Sequence, residues 1–119
     1  MHSELLLEHF RNPRNVGQLP PPAVTIDVSN PACGDLLRLS ALFQDEKVSE
    51  ARFQVRGCTA SIAAGSALSE WMIGKTRAQL NGLTAEIIEQ AVGGLEPASK
   101  HAAVLCIDGA KAIARSAVS

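Results

Sequence analysis

The sequence predicts an α+β domain: a three-stranded antiparallel sheet packed against helices, with a long helix at the C-terminal end. Two observations carry this. Apolar residues recur at period two in three successive stretches, 24–28, 37–43 and 48–55, joined by short polar or breaker-rich links. Strands linked that closely pair as sequential neighbours. Beyond Cys58 the pattern changes to helix-forming runs punctuated by glycine, which supply the layer that covers the sheet.

Taken in order, Ser3 to Phe10 reads as a short helix, with Ser3 as N-cap, Glu4 in the first turn and Leu5, Leu6 and Phe10 as a partly apolar face. His9 falls on this helix, which is expected to lie at the surface. Asn12-Pro13 ends the helix, and Pro20-Pro21-Pro22 predicts a stiff extended connector. Val24, Ile26 and Val28 mark the first strand; Leu37, Leu39, Ala41 and Phe43 mark the second. Gln44-Asp45-Glu46-Lys47 suits a hairpin turn, and the third strand, Val48 to Val55, carries an irregularity near Glu50. A closely packing helix follows from Cys58 to Ile73. Thr76 caps a short turn at 77–80, Thr84 begins a helix that Gly93-Gly94 stops, and Pro97 opens a last helix running to about Ala117.

Length and composition bound the function classes. All 119 residues form one domain in this reading, 46% hydrophobic and 19% charged, which argues against disorder. The net charge of -1 leaves no electrostatic footprint for nucleic acid or an anionic membrane, and tyrosine is absent. No apolar run approaches the roughly 20 residues of a membrane span. The first residues lack a secretory pattern. The expectation is a cytoplasmic protein with neither nucleic acid nor membrane as partner. Three cysteines cannot pair completely, and a reducing compartment turns them toward metal binding or catalysis.

The candidate site residues sit at breakers. Cys33 stands between Pro31 and Gly34, with Asp35 two positions on; Cys58 follows Gly57 at the start of a helix, where the partial positive charge favours a thiolate. In a simple meander both thiols fall at the same end of the sheet. His101 and Cys106 come in the last helix. The spacing matches no zinc finger. A Cys58–His101 nucleophile and base pair is the competing local reading, though an orienting residue and an oxyanion motif are not evident.

Four motifs carry a family resemblance: His9-Phe10-Arg11-Asn12-Pro13-Arg14-Asn15-Val16-Gly17, Asn30-Pro31-Ala32-Cys33-Gly34-Asp35, Gly57-Cys58-Thr59-Ala60-Ser61 and Ala64-Gly65-Ser66. In order and content they resemble the IscU/NifU-type iron–sulfur cluster scaffold proteins, over nearly the whole chain. The resemblance implies a scaffold rather than an enzyme. On it a transient [2Fe–2S] cluster is assembled from iron and from sulfur delivered by a cysteine desulfurase, then passed to acceptor apo-proteins, with an iron donor or chaperone as further partner. It implies Cys33, Asp35, Cys58 and His101 as the cofactor- and metal-binding set, able to hold zinc in the isolated protein. This chain departs from the family twice. Ala102 stands where the family has a third cysteine, directly after the histidine, and Cys106 comes one helical turn later. Leu95-Glu96-Pro97-Ala98-Ser99-Lys100 replaces the Leu-Pro-Pro-Val-Lys segment of members that use a dedicated chaperone. These departures leave two alternatives: a zinc-containing, SufU-like sulfur acceptor, and a degenerate interaction module that no longer assembles clusters.

Overall fold

The computed structural model describes residues 2–31 and 34–116, so Cys33 and the predicted end of the last helix at Ala117 lie outside the described residues. The elements are α1 (Glu4–Arg11), β1 (Val24–Asn30), β2 (Asp35–Gln44), β3 (Lys47–Arg56), α2 (Thr59–Met72), α3 (Arg77–Asn81), α4 (Ala85–Ala91) and α5 (His101–Arg115), with a single 3₁₀ turn at Pro97–Ser99 before α5. The sheet is an antiparallel meander in the order β1-β2-β3, as the period-two stretches predict.

Alternation decides which face is covered. Leu37, Leu39 and Ala41 of β2, with Ala51 and Phe53 of β3, point inward and are buried, while Arg38 and Gln54 face solvent. α2 packs on β3 and α5 lies across β1 and β2. Close approach sets one residue of α5: a Cβ on Gly109 would stand 2.8 Å from Leu37 Cδ2, so glycine there lets the helix settle on the sheet without breaking it. Asp45 and Glu46 form the two-residue hairpin turn with φ of 54° and 67°, the left-handed pair that matches strand twist. The irregularity is a β-bulge. Leu42 pairs with Glu50 and Phe43 with Val48, leaving Ser49 as the extra residue. The outer edge of β3 is covered, since Gly17 N–H donates to Phe53 O and Phe53 N–H to Asn15 O, each at 2.9 Å.

Three local expectations are corrected. The buried face of α1 is Leu6 and His9, spaced one turn apart, whereas Leu5 and Phe10 are exposed. His9 is therefore interior, not a surface histidine. The triproline is no extended connector: Ala23 N–H donates to Pro20 O at 3.1 Å and closes a turn, because a proline φ near −65° fits a turn as well as an extended helix. Pro97 shapes the separate 3₁₀ turn rather than the first turn of the last helix, so His101 is the first residue of α5. Among the described residues no helix is long and apolar enough to cross a membrane.

Candidate metal centre

Four element ends meet at one end of the sheet: the start of β2 at Asp35, the end of β3 at Arg56, the start of α2 and the start of α5. The starts of β2, α2 and α5 each bring a polar residue. Asp35 pairs with Asn30 across the β1–β2 connection, and Gly34 N–H donates to Asn30 O at 2.7 Å to close that link. Cys58 is the N-cap of α2, with no side-chain capping bond, so its thiol is not committed to the helix. His101 opens α5 directly after the 3₁₀ turn.

Asp35 Oδ2, Cys58 Sγ and His101 Nε2 form a small triangle. Its edges are 3.3 Å from His101 to Asp35, 3.5 Å from Cys58 to His101 and 3.8 Å from Cys58 to Asp35. A tetrahedral ion with ligands at about 2.0–2.3 Å spaces its donor atoms about 3.3–3.8 Å apart. The three side chains thus stand at the spacing of three corners of such an ion. Access is graded: Asp35 is 5% exposed, the His101 side chain is half-buried and Cys58 is exposed. The closeness depends on Gly57, because a Cβ there would lie 2.6 Å from Asp35 Cγ.

Of the sequence-derived residues, Asp35, Cys58 and His101 come together, and Cys33 falls outside the described residues. Cys106 is not among them. It is 1% exposed within the core, where burial pushes its thiol up to about 12, and its neighbour in register on the same face, Ala102, is fully buried. Sequence reasoning missed Ser61. Its hydroxyl donates to Asp35 Oδ2 and lies 3.4 Å from Cys58 Sγ. The signal was present in the spacing, since a residue three positions after an N-cap returns to its side of the helix.

The Cys–His enzyme reading can be judged on this geometry. In a nucleophile–base–carboxylate relay the two partners use different ring nitrogens of the histidine. Here Cys58 and Asp35 both approach Nε2, an arrangement suited to one atom shared by all three.

Fold and site together define an α+β domain with a candidate metal centre at one end of its sheet. The chain matches the NifU-like N terminal domain over residues 1–118 and belongs to that family. It is 36% identical over 118 residues to the iron-sulfur cluster assembly scaffold protein IscU of Azotobacter vinelandii, covering 96% of this chain and 91% of the relative. To IscU 1 of Archaeoglobus fulgidus, also a scaffold protein of that kind, it is 35% identical over 108 residues, 91% and 71% of the two chains. The crystal structure of a NifU-like protein (N-terminal) from Brucella abortus has the same fold, with a TM-score of 0.64 at 19% identity over 94% of this chain and 85% of that one.

Proposed function

We propose that the chain is a scaffold on which a transient [2Fe–2S] cluster is built from iron and desulfurase-derived sulfur and then handed to acceptor apo-proteins. The observation that carries this is the convergence of a thiol, a carboxylate and one imidazole nitrogen at tetrahedral spacing, on residues of three separate element ends. The scaffold relatives support it. In this reading Cys33 and Cys58 supply the soft thiolates that iron–sulfur chemistry prefers and can receive sulfur. Asp35 gives a harder oxygen ligand and His101 a neutral nitrogen, so the cluster is held by fewer thiolates than usual and is released readily. Cys58, exposed at the rim, is the thiol a desulfurase reaches; an iron donor or chaperone is a further partner. The protein acts by holding and passing its cargo, not by catalysis, in the cytoplasm, where thiols stay reduced.

The test is anaerobic reconstitution with iron, a cysteine desulfurase and cysteine, followed by visible absorption and by iron and sulfide content. The expected result is a [2Fe–2S] spectrum that is lost in Cys33→Ser and Cys58→Ser and kept in Cys106→Ser. Protein that binds one zinc ion and accumulates no sulfide under these conditions is a sulfur acceptor instead, and the scaffold reading fails.

A further inference from the structure

We infer that Ser61 is a positioning residue of the candidate metal centre, fixing the Asp35 carboxylate so that Oδ2 faces Cys58 and His101; the inference rests on the reading of that centre as a metal site. Ser61 lies in the first turn of α2, three residues after Cys58, and is 1% exposed. Its neighbours on the buried side of that helix, Ala60, Ala63 and Ala64, show that packing there asks only for a small side chain. A hydroxyl at that depth is costly unless bonded, and this one is bonded to Asp35.

The oxygen it contacts is the informative detail. Ser61 donates to Oδ2, the same atom that stands 3.3 Å from His101 Nε2 and 3.8 Å from Cys58 Sγ. The terminal torsion of an aspartate is broad and soft, so an unrestrained carboxylate would sample many orientations. The hydroxyl selects one of them. Gly57 makes room for it, since a Cβ at that position would come within 2.6–2.9 Å of Cγ, Oδ1 and Oδ2. Among the described residues no lysine or arginine pairs with Asp35, so the serine hydroxyl is the fixed donor that holds it. A ligating carboxylate oriented in this way loses about 10–100-fold in metal affinity when the orienting hydrogen bond is removed.

The experiment is titration of the metal-free chain with Co2+ under anaerobic conditions, for the wild type, Ser61→Ala, Asp35→Ala and the double variant, with circular dichroism to verify folding. Wild type develops thiolate-to-cobalt charge-transfer absorption. Ser61→Ala keeps that absorption, because the Cys58 thiolate is retained, binds about 10–100-fold more weakly, and shifts the d–d bands. In the Asp35→Ala background the serine substitution has no further effect, since it acts through the carboxylate. Ser61→Thr, which retains the hydroxyl, binds as the wild type does. Equal affinity of Ser61→Ala and wild type, or a full additional loss on top of Asp35→Ala, overturns the positioning role while leaving the metal site standing. A wild type that binds no Co2+ overturns both.

Discussion

His9 and His101 each stand beside a carboxylate and a side chain of α2 or its N-cap, yet the two neighbourhoods do opposite things. Around His9 both ring nitrogens are partnered. Nδ1 meets Ser66 Oγ at 2.8 Å and Arg14 Nη1 at 3.4 Å, and Nε2 faces Glu70 Oε1 at 3.8 Å. Arg14 completes the cluster: its backbone N–H donates to Ser66 Oγ at 2.9 Å, and its guanidinium pairs with Glu8 and reaches Glu70. Charges alternate and donors find acceptors, so the arrangement clamps α1 and the following loop onto α2. Around His101 a thiol and a carboxylate crowd one nitrogen, and the adjacent Lys100 pairs with Glu89 at 2.5 Å. A satisfied network builds structure; a convergent one without its own cation leaves a place for a metal.

Substitution at each end separates the two. Gly57→Ala has the largest effect expected, because the new methyl must displace the Asp35 carboxylate from the triangle. Divalent-metal affinity should fall at least tenfold, with a stability loss of about 1–3 kcal/mol from overpacking. Metal titration and chemical denaturation of the same sample check it, and unchanged affinity would mean Asp35 is no part of the site. Ser66→Ala breaks the other network, leaving the His9 ring nitrogen and the Arg14 N–H without their shared buried partner. It should cost about 1–3 kcal/mol and leave metal affinity where it was. A parallel loss of metal binding would show that the clamp and the centre are one cooperative unit.

The difference also explains what could be read from the sequence. The sheet was legible because three half-buried strands each display their burial as alternation, and the Asp45-Glu46 turn and the bulge at Ser49 fall where polar residues interrupt it. Asp35, Cys58 and His101, which converge in the structure, were legible as reactive types placed at breakers and helix starts. Two features escaped for physical reasons. α1 is eight residues long, too short for its leucines to define a face, and its true buried pair, Leu6 and His9, joins an apolar residue to a titratable one. Ser61 escaped because a hydroxyl within a run of alanines looks like packing, and its partner is 26 residues away in sequence. Polar networks closed by tertiary contacts leave no local period.

The smallest effect expected is a pH dependence that belongs to the clamp. Burial, first, and the Arg14 charge, second, hold His9 below its ordinary value of 6.5, against the opposing pull of Glu70 and Glu8. The unfolded chain, with His9 free in water, takes up its proton near 6.5, whereas the folded chain resists until lower pH. Below 6.5 the unfolded state therefore binds more protons, and stability falls as the pH falls. The contribution is complete above 6.5, declines from there towards the folded-state value, and levels off once both states are protonated. One proton sets the limit on the slope, about 1.4 kcal/mol per pH unit. Denaturant unfolding between pH 8 and 5 measures it, with His9→Gln as the comparison, since that side chain carries no titrating proton. The expected outcome is a shallower acid limb in His9→Gln than in the parent. Identical limbs would place the acid sensitivity elsewhere and make the clamp a neutral hydrogen-bond network with no protonation linked to folding.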